Sequence, residues 1–216
     1  MPNRPLLLGH RGARGDRSVA ENSPASFDLA LAGGCDGFEL DVRLSGDGQP
    51  VICHDAVFQG REVDRCSAQQ LSLPLLSEVL RRYCKSAYLD IELKVEGMEG
   101  QVLELLRRFP LARGGMISSF LPEVLMALRN SASPLPLGLI CETKAQFRVW
   151  PKLKLGCAVL HRNLMNPEVL SQARDEGSKV FVWTVNAPKE MRRFAEWGVD
   201  GIISDYPGRL AGVFEK

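Results

Sequence analysis

Short apolar runs recur along this chain, and each is followed by a segment carrying helix signals. The first is Leu6-Leu7-Leu8, closed by Gly9, and an unbroken leucine run of this kind predicts a strand buried on both faces. Further strands are predicted at residues 37–42, 87–94, 116–120, 137–141, 157–161, 179–185 and 201–204. Between the first two, Ser23 is placed to cap a helix with Pro24 at its first position, and Gly33-Gly34 ends it. Helices are also predicted near residues 101–108, 122–128, 145–150, 167–176 and 188–197, with a last helical turn near Pro207. Strands alternating with helices argue a parallel sheet covered by helices. Eight such units argue closure into a (β/α)8 TIM barrel, and 216 residues is near the lower end for one. No linker or low-complexity stretch divides the chain, so residues 1–216 are expected to form one domain.

One apolar run breaks the rhythm. Residues 51–55 also read as a strand, yet only residues 43–50 separate it from the previous one. A parallel neighbour needs a crossover of about a dozen residues or more. The gap instead holds Ser45-Gly46-Asp47-Gly48, a hairpin turn signal. An antiparallel return is therefore expected, which brings His54 back to the level of Glu39 and Asp41. The insertion spans about residues 43–66, with 56–66 read as loop. Ser67 and Gln70 then form a capping-box spacing, and Pro74 restarts or kinks a helix that runs to about Tyr83.

Composition narrows the functional classes. Lys and Arg number 27 against 26 Asp and Glu, a formal charge of +1, which argues against a sequence-independent nucleic-acid surface. No apolar run approaches the roughly 18 residues of a membrane span, and three leucines are too few for a secretory signal core. The six cysteines show no Cys-x-x-Cys spacing. Free thiols in a reducing compartment, hence a cytoplasmic protein, are expected. Nothing in the pattern sets the number of subunits.

Chemistry gathers at the strand ends, where a barrel carries its function. The first strand offers His10 and Arg11, the second Glu39 and Asp41, the third Glu92 and Lys94, the hairpin His54, and the seventh Trp183 and Asn186. Period-2 alternation aims Glu39 with Asp41, and Glu92 with Lys94, to one face each. Phe38, Leu40, Leu89 and Ile91 suit the helix-facing side better, so the carboxylates are expected to point inward. Three converging carboxylates cannot all stay ionised without protons or a cation. Hard oxygen ligands suit Mg2+ or Ca2+. Two histidines, a divalent cation and Arg or Lys describe a site for a phosphorus centre, with the histidines moving protons to and from the attacking and leaving oxygens.

These residues fall in short motifs: Gly9-His10-Arg11-Gly12, Glu21-Asn22-Ser23, Glu39-Leu40-Asp41-Val42, Asp47-Gly48, Pro50-Val51 to His54-Asp55, Glu92-Leu93-Lys94, Trp183-Thr184-Val185-Asn186, Gly198-Val199-Asp200-Gly201-Ile202-Ile203 and Asp205-Tyr206-Pro207. In this order the set resembles the glycerophosphodiester phosphodiesterase family, in its short, bacterial, cytoplasmic form. The resemblance implies a TIM barrel with a small insertion after the second strand, His10 and His54 as general acid and base, and Arg11 and Lys94 on the phosphate. It implies one divalent cation on Glu39, Asp41 and Glu92. The sequence departs from the family in having Ala20-Glu21-Asn22-Ser23 for the usual Pro-Glu-Asn-Thr and no Arg-Thr-Thr stretch after His54-Asp55.

Glu21 and Trp183 join the substrate-binding candidates. Glu21 could instead be a charge at a helix start, Trp183 could be core, and Asn186 could be a helix cap. His161 reads as structural or pocket-lining and Ser118 as strand only. The implied reaction is metal-dependent hydrolysis of a small-molecule glycerophosphodiester to sn-glycerol 3-phosphate and an alcohol. Alternatives are a lysophospholipase D, a phosphodiesterase that forms a cyclic phosphate, and a catalytically weak binding homologue. A lyase or aldolase fits less well, since no Schiff-base lysine motif is present.

Overall fold

The structure is a computed structural model and describes residues 4–214. In chain order it runs β1 (Leu6–Gly9), α1 (Pro24–Ala32), β2 (Gly37–Leu44), β3 (Pro50–Ile52), β4 (Val57–Phe58), β5 (Arg61–Glu62), α2 (Ala68–Leu71), α3 (Leu76–Tyr83) and β6 (Tyr88–Leu93). It continues α4 (Glu99–Arg108), β7 (Gly115–Ser119), α5 (Pro122–Asn130), β8 (Leu137–Cys141), α6 (Lys144–Leu153), β9 (Cys157–His161), α7 (Pro167–Asp175), β10 (Lys179–Trp183), α8 (Pro188–Trp197), β11 (Gly201–Ser204) and α9 (Pro207–Gly212). Among these, β1, β2 and β6 to β11 form a closed ring of parallel staves. The ring closes where β1 pairs on one side with β11, Leu6 opposite Gly201, and on the other with β2, Leu8 opposite Gly37. Glycine at 37 lets β2 lie against its other neighbour, β6, because a Cβ there would lie 1.8 Å from the Tyr88 carbonyl oxygen.

Local chemistry places the helices. Ser23 accepts from the Ser26 amide with Pro24 at the first helical position, as its sequence foretold. Ser67 and Gln70 close a reciprocal capping box on α2, which stops at Ser72 in the left-handed region before α3 begins.

The hairpin is present: β3 runs antiparallel to β2, with Val42 opposite Ile52. The following stretch is not plain loop, however. Gln59 and Gly60 both take positive φ, 49° and 77°, the geometry of a tight two-residue hairpin turn between β4 and β5. Strands of two residues are too short to show any period in the sequence. Val51, Cys53, Val63, Ala68 and Leu71 give the insertion a small core of its own, and that core carries His54.

The barrel has two apolar layers, as strand alternation requires. Phe38, Leu40 and Val42 of β2 pack outward against the helices, where Phe27 and Phe38 stack with ring centroids 4.2 Å apart and Tyr83 meets both edge-on. Truncating Phe38 there would cost about 3–5 kcal/mol. Leu8, Met116, Val159, Phe181 and Ile203 fill the bore. Within it Tyr88 of β6 and Phe181 of β10 stack 6.1 Å apart and close the barrel from below. The next inward residues on those strands, Asp90 and Trp183, look up into the rim.

Candidate active site

The turn after β1 presents His10 and Arg11 from a compact loop. Gly12, at φ 79°, has no room for a Cβ, which would fall 2.4 Å from Ser26 Oγ. Ser26 Oγ in turn donates to the Arg11 carbonyl oxygen at 2.8 Å. Arg11 itself sits at φ 49°, and its backbone N–H donates to Glu39 Oε2 at 2.8 Å. A chain turned this tightly sends the imidazole and the guanidinium into the same cleft.

His10 is anchored from the far end of the sequence. Its Nδ1 lies 2.7 Å from Asp205 Oδ1, and Asp205 Oδ2 accepts from Asn186 Nδ2 at 2.7 Å. The Asn186 side-chain oxygen accepts in return from the Asp205 amide at 3.0 Å and from Ser204 Oγ. Burial works against ionisation of Asp205, but the bonds from His10 and Asn186 win and bring its pKa down to about 2. Asn186 therefore holds Asp205 and is not a helix cap; the residue capping α8 is Ala187.

The metal-ligand candidates converge. Glu39, Asp41 and Glu92 each offer an oxygen, all within 4.8 Å of one another, and the three residues are buried. Lys94 Nζ lies 2.6 Å from Glu92 Oε1 and 3.4 Å from Asp41 Oδ1, and Arg11 Nε lies 3.2 Å from Asp41 Oδ2. Burial, then repulsion from Asp41 and Glu92, drives the Glu39 carboxyl well above the usual range, while burial and Asp41 push Glu92 up to about 7. Burial also opposes the Asp41 charge, yet Lys94, Arg11 and the Asn22 amide, 2.7 Å from Oδ2, hold that carboxyl below its ordinary value. Asp90, packed against Ser118, is raised by burial to about 8.

His54 reaches the cleft from the insertion. The Cys53 amide donates to the Asp41 carbonyl, which sets His54 beside the carboxylates as the hairpin geometry requires. Its Nδ1 lies 2.7 Å from Asp55 Oδ1, and burial lowers its pKa below the usual histidine value.

His10, Arg11, Glu39, His54, Glu92, Lys94 and Trp183 all line one cleft of ≈ 200 Å³. Asp41 completes the carboxylate group from behind, 1% exposed. Glu21 does not line the cleft; it accepts from Arg11 at 2.7 Å and from Arg14 Nε at 3.0 Å, and so orients the guanidinium. Trp183 forms the apolar wall with Phe120, Ile140, Val159 and Ile203, its ring edge-on to Phe120 and His161. His161 accepts from the Asn163 amide at the end of β9. Sequence reasoning missed the parts played by Asn22, Asp205 and Asp90. Asn22 and Asp205 stand inside motifs that drew attention, but nothing local says what they touch.

No helix among the described residues is long and apolar enough to cross a membrane. A family model described as the glycerophosphoryl diester phosphodiesterase family matches residues 10–209. A glycerophosphodiester phosphodiesterase of Caldanaerobacter subterraneus subsp. tengcongensis is 29% identical, over 98% of this chain and 98% of its own. Among solved structures, an Oleispira antarctica phosphodiesterase in complex with the product sn-glycerol-3-phosphate is 25% identical with TM-score 0.84, covering 99% of this chain and 98% of that one. The glycerophosphodiester phosphodiesterase of Thermotoga maritima gives 25% and 0.83, over 98% and 99%. A match of this length, on a barrel of this topology, means that the chain belongs to the glycerophosphoryl diester phosphodiesterase family.

Proposed function

We propose that the protein hydrolyses glycerophosphodiesters to sn-glycerol 3-phosphate and an alcohol, using one divalent cation and two histidines. The observation that carries this reading is the meeting of Glu39, Asp41 and Glu92 with Arg11, Lys94, His10 and His54 around one cleft. The product bound to the Oleispira antarctica relative supports the substrate class.

The carboxylate group fits a hard cation. Glu39 Oε1 and Asp41 Oδ1 are buried without a hydrogen-bond partner among the described residues. Three carboxylates face two cationic side chains, leaving an excess of negative charge that a cation offsets. All-oxygen ligation suits Mg2+ or Ca2+. When bound, the cation supplies Lewis-acid neutralisation of the phosphoryl oxygens.

The chain's own residues do the rest. Arg11, steered by Glu21, and Lys94 hold non-bridging phosphate oxygens as charge builds on them. His54 enters turnover neutral near pH 7 and takes a proton from the attacking water as its oxygen bonds phosphorus. The bond from phosphorus to the alcohol oxygen breaks, and His10 delivers a proton to that oxygen. Asp205 accepts from Nδ1–H and so turns Nε2, which carries the proton that is delivered, toward the cleft. The apolar wall of Phe120 and Trp183 packs the glycerol carbons. In this reading residues 1–216 work as one domain, and the free thiols of Cys35, Cys53, Cys66, Cys84, Cys141 and Cys157 suit a reducing, cytoplasmic setting.

The test is a coupled assay for sn-glycerol 3-phosphate released from glycerophosphocholine, with Mg2+, with Ca2+ and with chelator. Release in either metal and none in chelator is expected. Phosphocholine and glycerol as products would overturn the choice of bond, a cyclic glycerophosphate the choice of nucleophile, and full turnover in chelator the cation.

A further inference from the structure

Two polar atoms deep in the cleft take no part in the chemistry above. Asp90 lies on β6, two residues before Glu92, and is 1% exposed. Its Oδ1 accepts from Ser118 Oγ at 2.6 Å. Its Oδ2 is buried with no hydrogen-bond partner among the described residues, and the same holds for Trp183 Nε1 on β10. Both residues line the same cleft. Buried polar groups are almost always paired, so two orphans facing one cavity mark a place that a ligand completes.

Position says what kind of ligand. Strands β6 and β10 are separated by β7, β8 and β9 on one side and by β2, β1 and β11 on the other, so they face each other across the barrel. One inward residue below, Tyr88 and Phe181 stack and seal the bore. One inward residue above Asp90, about 7 Å higher along the strand, stands Glu92, opposite Asp41 of β2, while Asp90 itself lies opposite Glu39. Ile140, Val159 and Ile203 wall the space between. The chamber thus has apolar sides, a carboxyl at one end, an indole N–H at the other and a closed floor. The cationic groups that would attract an anion, Arg11 and Lys94, lie at the rim, so the chamber itself offers an anion no charged partner. A short carbon chain bearing hydroxyls fits.

We propose that this chamber reads the glycerol of the substrate, with the terminal hydroxyl bonded to Asp90 and a glycerol oxygen accepting from Trp183 Nε1. Asp90 is then the residue that separates glycerol diesters from diesters of other alcohols. The inference rests on the phosphodiesterase reading above. A carboxyl oxygen pairs with a hydroxyl in either protonation state, so the role does not depend on how Asp90 titrates. It also excludes lysophospholipids, because an acyl group on the terminal oxygen would run into the sealed floor.

The experiment compares glycerophosphocholine with its propane-1,2-diol counterpart, in which the terminal hydroxyl is replaced by hydrogen. The native protein, Asp90→Ala and Asp90→Asn are assayed on both, with the Mg2+ concentration for half-maximal rate measured for each. The native protein should favour the glycerol diester in kcat/KM. Asp90→Ala should lose roughly 10–100-fold on that substrate and little on the analogue, so that the preference collapses. Asp90→Asn, which keeps shape and hydrogen-bonding capacity, should restore part of it. Equal losses on both substrates would reduce Asp90 to a structural role. A raised Mg2+ requirement with the preference intact would make it a cation ligand instead. Faster turnover of lysophosphatidylcholine than of glycerophosphocholine would also overturn the proposal. A native protein that cleaves neither diester would overturn the phosphodiesterase reading itself, and this one with it.

Discussion

His10 and His54 face one cleft from opposite kinds of support. His10 stands in the turn directly after a barrel stave, its side chain 11% exposed, and pairs with a carboxylate 195 residues away. Asn186 grips that carboxylate from a third segment, so the imidazole is fixed by the ends of three neighbouring staves at once. His54 hangs on the insertion with its side chain 33% exposed, and its partner Asp55 is its own neighbour, 74% exposed. One imidazole is built into the scaffold, and the other is carried on an accessory element at the entrance. The contrast teaches where each role can be supported. A group that must present one fixed nitrogen is best held by rigid strands, while a neutral base needs only partial burial and access to water.

Removing either imidazole should have the largest effect. His10→Ala and His54→Ala are each expected to lose roughly 10²–10⁴-fold in kcat. Free imidazole should recover part of the His54→Ala activity, through the open side of the cleft, and little of the His10→Ala activity. Equal rescue of both, measured by product release, would break the contrast.

The partners come next. Asp205→Asn should cost roughly 10²-fold in kcat with KM nearly unchanged, because the orientation of the His10 ring is no longer enforced. Asp55→Asn should cost only a few-fold, since an exposed pair is worth little. Comparable losses from the two would mean that the insertion holds its histidine as firmly as the barrel does.

Cation binding should depend on pH more gently. Glu39 and Glu92 have raised pKa values, so near neutrality the cation must displace protons. Affinity for Mg2+ is expected to fall by about tenfold per pH unit below 7 for each proton displaced, and calorimetry in buffers of different ionisation enthalpy should show proton release on binding.

The smallest effect concerns stability in acid. The folded pKa of Asp205 is depressed to about 2, below its unfolded value near about 4. Its contribution is therefore present above pH ~4 and is lost as the pH falls through the folded value. The difference in thermal midpoint between native protein and Asp205→Asn should shrink between pH ~4 and ~2. A difference that stays constant across that window would remove the ion pair from the account.

Strand period and spacing are local properties, and what they govern was legible residue by residue. Alternation along β2 and β6 sends Glu39, Asp41, Glu92 and Lys94 inward because successive side chains leave opposite faces of a strand. The gap before β3 is too short for a crossover, so His54 had to return antiparallel. Eight strand–helix units on one chain leave a closed barrel as the natural end. Contacts made by closure were not legible. That Asp205 meets His10 depends on the register of β1 against β11. That Asp90 and Trp183 share one chamber depends on their strands standing opposite each other around the ring. That Glu21 steers Arg11, rather than serving a helix start, depends on a left-handed turn at residue 11. Register and curvature are set by the whole sheet packing at once, and no single segment carries the energy that chooses them.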